Sequence, residues 1–183
     1  MEVIASYLAV IALMMAIPAI YKLWRKRMSL KTFEPLKEGA KPVVSIELEN
    51  GGVIKLELYP DAAPNHCAAM VDLIGKGYYD GLNFHRVVPG FVVQGGCPKG
   101  NGSGGPGYHL KAEFNERPHL TGTLAMARTP DPDSAGSQFY ICLAPQPGLD
   151  REYTVFGQTV EGMEQVSRIR QGDKMVKVTV EGV

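Results

Sequence analysis

From Val43 onward, short runs of alternating apolar and polar residues recur between glycine- and proline-rich turns. No other feature of the chain constrains its fold as much. Val43–Leu48 alternates, Glu49-Asn50-Gly51-Gly52 turns the chain, and Val53–Leu58 alternates again. This predicts a β-hairpin, because Asn-Gly and Gly-Gly tolerate positive φ. Further strands are expected over Leu82–Val87, Phe91–Gln94, Thr123–Ala127, Ser137–Leu143, Thr154–Phe156 and Lys174–Val180. Within Ser137–Leu143, Gln138, Tyr140 and Cys142 share one face, and Phe139, Ile141 and Leu143 share the other. Only two segments read as helices. Pro64 suits a first turn, Cys67, Met70, Val71 and Ile74 form one stripe, and Gly75 and Gly77 end it, giving a helix over 64–75. Glu161–Arg170 is the second, with Met163, Val166 and Ile169 on one side. Strands and helices do not alternate, which disfavours a doubly wound sheet. A closed, mostly antiparallel barrel fits better, because closure removes exposed edges and two helices can cap the open ends.

A different material precedes this body. Residues 1–39 carry six of the 19 basic and three of the 19 acidic side chains, leaving thirteen basic and sixteen acidic in 40–183. Val3–Ile20 has no charge, and Arg25, Lys26 and Arg27 follow it. A cleaved signal peptide carries its positive charge before the apolar run. Residues 1–27 therefore read as an N-terminal transmembrane helix with a basic flank, 28–40 as a tether, and 41–183 as the globular domain. Basic residues after the span put the body on the cytoplasmic side. The alternatives are a soluble protein starting at Met28, or an extracytoplasmic body.

Zero net charge over 183 residues argues against a nucleic-acid binder. Cys67, Cys97 and Cys142 contain no CxxC and read as free thiols. His66, His85, His109 and His119 show no metal-ligand spacing. The glycine run from Gly100 to Gly107 lacks the Gly-Lys-Ser/Thr ending of a phosphate loop. No second apolar stripe appears, so a monomeric body is expected.

One constellation carries chemistry. Phe84-His85-Arg86-Val87-Val88-Pro89-Gly90-Phe91-Val92-Val93-Gln94-Gly95-Gly96 resembles the signature of the cyclophilins, a family of peptidyl-prolyl cis-trans isomerases. The resemblance continues through Gly122–Arg128, Asp133–Ile141, Leu149-Asp150 and Val155-Phe156-Gly157, covering nearly all of 42–183, and looks bacterial. It implies an eight-stranded closed barrel capped by two helices, with the substrate groove on its outside. It further implies catalytic roles for Arg86 and Gln94, and substrate contacts from Phe91, Val92, Met126, Ala127, Gln138, Tyr140, Leu149 and Tyr153. Three positions depart from animal members: Arg128 stands for asparagine, Tyr153 for histidine, and Gly148 for an aromatic residue. Loss of that ring implies weak binding of the cyclic immunosuppressant peptide.

The chemistry implied needs neither nucleophile, metal nor cofactor. Amide resonance sets a rotation barrier of about 18–20 kcal/mol, and X-Pro exchange is slow. A catalyst must hold the twisted amide better than the planar forms. An apolar seat for the proline ring and a fixed cationic donor near the amide suffice. The implied partners are proline-containing polypeptides. A proline-peptide binding module or holding chaperone with little turnover is the competing reading.

Overall fold

The computed structural model describes residues 29–183. Strands β1 (Val43–Leu48) and β2 (Val53–Leu58) form the expected hairpin. Helix α1 (Pro64–Gly75) follows. Then come β3 (Arg86–Val88), β4 (Val92–Gly95), β5 (Thr123–Met126), β6 (Phe139–Cys142) and β7 (Val155–Glu161). A short helix α2 (Met163–Val166) leads to β8 (Met175–Glu181). The eight strands form one sheet in the order β3-β4-β6-β5-β7-β2-β1-β8, with every pairing antiparallel.

The sheet curls but does not close, which corrects the expected closed barrel. The two end strands, β3 and β8, share no ladder. The segment before β3 meets the start of β8 through one isolated bridge, Asn83 to Lys174, and the main-chain hydrogen bonds that flank it, from Gly81 and Phe84 to the Met175 and Asp173 carbonyls and from Met175 and Gly172 to the Leu82 and Phe84 carbonyls. The physical reason is the break in the stretch expected as one strand over Leu82–Val87. Only Arg86–Val88 joins a ladder, and it pairs with β4 alone, so the contact with β8 stays short and irregular and forms no ladder. The result is an open, curled half-barrel. The transmembrane helix expected over 1–27 lies outside the described residues. Among the described residues no helix is long and apolar enough to cross a membrane.

The second helix is also shorter than its periodicity predicts. Glu161 still pairs with Lys55 in the β2–β7 ladder, and Gly162 turns the chain at φ 83° before α2 starts. An added Cβ at Gly162 would collide with the Val53 carbonyl. Val166 and Ile169 are buried all the same.

The inner face of the sheet and α1 enclose the main core. Ile46, Ile54, Leu56, Leu124, Phe139, Ile141 and Phe156 meet Cys67, Met70 and Leu73 of the helix there. Helix α1 has no side-chain cap of its own. Instead Glu113 accepts from the Asn65 N–H at 3.0 Å and the His66 N–H at 2.9 Å, satisfying two of the orphan donors of the first turn.

The segment read as a tether lies along the body in its described part. Leu30 forms a parallel bridge with His109, and the Phe33 N–H donates to Asn65 Oδ1 at 2.7 Å.

Candidate active site

Strand register assembles the site. Arg86 pairs with Gln94, Gln94 with Tyr140, and Tyr140 with Ala125. Directly opposed residues share a face, so these four side chains form one row on the outside of the sheet. Around the row sits a second apolar cluster, distinct from the main core: Val92, Ala125, Tyr140, Cys142 and Val155, with Phe91, Ala127, Leu149 and Tyr153 packed against it. A cavity of about 310 Å³ opens there, lined by Arg86, Phe91, Val92, Gln94, Ala127, Arg128, Tyr140, Leu149 and Tyr153.

Seven of the eight residues expected to contact substrate thus lie in or beside this groove. Gln138 lines the adjoining cavity, of about 560 Å³. Met126 is the exception. It is 2% exposed and belongs to the main core. The alternation of β5 explains it, since Ala125 and Ala127 take the outer face and Leu124 and Met126 the inner one.

A chain of side-chain amides reaches the arginine. Arg86 Nη1 donates to Gln94 Oε1 at 3.3 Å, and Gln94 Nε2 donates to Gln138 Oε1 at 3.1 Å. Gln138 Nε2 in turn donates to the carbonyls of Gly102 and Gly104, both at 2.8 Å. Those two acceptors fix which end of Gln138 faces Gln94, and so aim Gln94 Oε1 at the guanidinium. The Arg86 guanidinium carbon is 5.6 Å from the Phe91 ring centroid. Arg86 is exposed, with its charge over the mouth of an apolar pocket. Burial pushes the Cys97 thiol up, but N–H groups of Gly104, Asn101, Lys99 and Gly102 outweigh it and hold the thiol below its ordinary value. This thiol is buried and anchors the loop that carries Gly102 and Gly104.

Behind the pocket lies a second network that sequence reasoning missed. His119 Nε2 stands 3.0 Å from the Tyr140 hydroxyl, and His119 Nδ1 stands 2.9 Å from Asp150 Oδ1. His119 is buried, and its backbone N–H also donates to Asp150 at 2.8 Å. These bonds hold the Asp150 carboxyl below the usual carboxylate range. Burial raises the Tyr140 phenol well above its ordinary value, so it stays neutral. No motif spacing links residues 119, 140 and 150; only the β6 alternation, which sends Tyr140 outward, pointed at this side of the sheet.

Two of the departures touch each other. The Arg128 guanidinium carbon lies 4.6 Å from the Tyr153 ring centroid, and Arg128 Nε donates to the Glu152 carbonyl at 2.9 Å. Gly148 lies in open space, where an added Cβ would meet nothing within 4 Å.

The profile of the family described as "Cyclophilin type peptidyl-prolyl cis-trans isomerase/CLD" matches residues 43–182. The chain belongs to the cyclophilin family. This cyclophilin is 50% identical over 137 residues to peptidyl-prolyl cis-trans isomerase B of Bacillus subtilis, covering 74% of this chain and 95% of that one. It is also 50% identical over 131 residues to a peptidyl-prolyl cis-trans isomerase of Synechococcus elongatus, covering 70% and 90%. A crystal structure of a Cryptosporidium parvum cyclophilin type peptidyl-prolyl cis-trans isomerase superposes with a TM-score of 0.71 at 28% identity, covering 79% of this chain and 99% of that chain. The cyclophilin described here is an enzyme, a peptidyl-prolyl cis-trans isomerase that assists protein folding.

Proposed function

We propose that the smaller cavity seats the proline ring of a polypeptide and that Arg86 stabilises the twisted amide beside it. The observation that carries this reading is the outer row itself. It sets an exposed guanidinium, aimed by Gln94 at 3.3 Å, at the rim of an apolar pocket floored by Val92 and Tyr140. Phe91, Leu149 and Tyr153 wall the ring, and Ala127 leaves room for the substrate backbone.

The isomerisation makes and breaks no covalent bond. As the C–N bond twists, resonance is lost, the nitrogen pyramidalises and its lone pair localises. A guanidinium N–H directed at that lone pair, or at the carbonyl oxygen, is worth more to the twisted amide than to either planar form. An acceleration of about 10⁵-fold requires about 7 kcal/mol. A charge-assisted hydrogen bond supplies part, and holding the ring against a rigid pocket supplies the rest. Gln94 acts through Arg86 and is a positioning residue.

A protease-coupled assay on a proline peptide tests this reading with the full chain. Arg86→Ala is expected to remove most of the acceleration, and an unchanged rate would overturn the assignment.

Two finer readings accompany it. The body acts as a monomer at the cytoplasmic face of a membrane, held by the uncharged stretch Val3–Ile20 and the basic residues Arg25, Lys26 and Arg27. Fusing cytoplasm-active and export-active reporters to the C-terminus tests the orientation, and activity of the export-active reporter alone would reverse it. Binding of the cyclic immunosuppressant peptide is weak, because Gly148 leaves that edge of the groove without a ring. Gly148→Trp is expected to strengthen it, measured by calorimetry.

A further inference from the structure

The larger cavity has a wall that the family domain does not supply. The family match begins at residue 43, yet Leu30 stands at the cavity of about 560 Å³. Main-chain bonds hold it there. The Lys31 N–H donates to the His109 carbonyl at 2.8 Å, and the His109 N–H donates to the Ser29 carbonyl at 3.1 Å. Asn65 Nδ2 donates to the Lys31 carbonyl at 3.1 Å. The Lys31 ammonium lies 4.2 Å from the Phe33 ring centroid and 4.7 Å from that of Tyr108, and the two rings meet edge to face at 5.5 Å. The strap is therefore well fastened, yet the Leu30 side chain remains 55% exposed. Its own fold gains little from that leucine.

The two cavities adjoin, because Gln94, Ala127 and Arg128 line both. A polypeptide with its proline in the smaller cavity carries a neighbouring side chain over Ala127 into the larger one. Charged groups on that cavity's wall are already engaged. Asp131 accepts from the Asp133 N–H at 3.0 Å, Asp133 accepts from the Ala112 N–H at 2.9 Å, and Arg128 donates to the Glu152 and Thr129 carbonyls. The loop from Gly102 to Gly105 offers mainly backbone. The apolar surface on this wall comes mainly from Leu30, Pro106 and Tyr108.

We infer that the strap is part of the substrate groove, with Leu30 a specificity-determining residue that selects an apolar client side chain a few residues from the proline. This rests on the smaller cavity being the proline seat. The strap thus gives this cyclophilin a selectivity that its family domain alone does not encode.

The test uses the full chain and proline peptides carrying Leu, Gly or Asp at two or three residues from the proline on either side, followed by exchange NMR. The wild type is expected to prefer Leu over Gly at one such position by about fivefold in kcat/KM, the scale of one half-buried apolar contact. Leu30→Asp is expected to bring the ratio to about one, and Leu30→Met to keep it. A wild-type ratio near one at every position overturns the inference. So does a Leu30→Asp chain that slows Leu and Gly peptides equally, since that is a fold effect and leaves the ratio intact. Absence of turnover of every peptide by the wild type would instead bring down the proline-seat reading, and the inference with it.

Discussion

Phe139 and Tyr140 are neighbours in β6 and live in different parts of the molecule. Phe139 points inward, packs edge to face on Tyr79 and is buried on all sides by the main core. Tyr140 points outward, is 5% exposed, and meets Tyr153 edge to face at the floor of the groove. The inner face is held by apolar contacts among many partners. The outer cluster is small, open on one side, and braced from behind by His119 and Asp150. The difference teaches where stability and activity reside: the inner face pins the strands in register, and the register presents the outer row to substrate.

Two substitutions break that comparison most directly. Phe139→Ala leaves a cavity in a sealed core and is expected to cost about 3–5 kcal/mol of stability. Denaturant midpoints measure it, and molecules that remain folded keep their kcat. Arg86→Ala is the mirror experiment. Arg86 is exposed, so the melting temperature should stay put while kcat/KM falls by roughly 10²–10³, the scale of losing one preorganised charge-stabilising donor. If Arg86→Ala destabilised the fold, or Phe139→Ala selectively lowered kcat, the division of labour between the faces would be wrong.

Tyr140→Phe sharpens the comparison at one atom. The ring stays in the groove, but buried His119 Nε2 loses its partner at 3.0 Å. Leaving a buried polar group unpaired costs about 1–3 kcal/mol. The expected outcome is a lower melting temperature with a modest change in kcat. Unaltered stability would mean that the hydroxyl does no bracing.

The inner face was legible because alternation is a local signal. The hairpin at Val43–Leu58, the helix at Pro64–Gly75 and the split of Phe139 from Tyr140 all follow from residues two to four apart. Closure was not legible. It depends on whether the segment at Asn83 runs as a ladder or as one bridge, and that is decided by a partner some ninety residues away. Met126 shows the same limit at one residue, since a motif lists it beside Ala127 without saying which of the two faces out. Over Glu161–Arg170 the apolar spacing fits a long helix and equally a strand end, a glycine turn and one helical turn, and the structure takes the second form. His119 and Glu113 had no signal, because each acts on a residue distant in sequence, and Asp150 stood in the Leu149-Asp150 pair with nothing to mark its bond to His119.

Glu113 provides the gentlest test, because it joins the two regions without belonging to either. Its carboxylate caps α1 and sits 2.6 Å from His66 Nδ1, while its own N–H donates to the Thr154 hydroxyl. Burial raises the Glu113 carboxyl, but the His66 side chain and the N–H groups of His66 and Asn65 outweigh it and hold it below the ordinary glutamate value. A depressed carboxylate contributes stability in full above its unfolded value, near pH 4.5, and loses that contribution as pH falls through its lower folded value. Glu113→Gln keeps an acceptor and loses the charge, so it is expected to cost about 1 kcal/mol at neutral pH. That gap should close on acidification below about pH 4.5, when the wild type protonates too. Asp150 titrates on the same side in both proteins, so it cancels from the difference between them. Chemical denaturation at neutral pH and at pH 3 measures the gap. A gap that stayed constant would mean the cap works through shape alone, and a loss of kcat at neutral pH would mean that α1 governs the groove as well as the core.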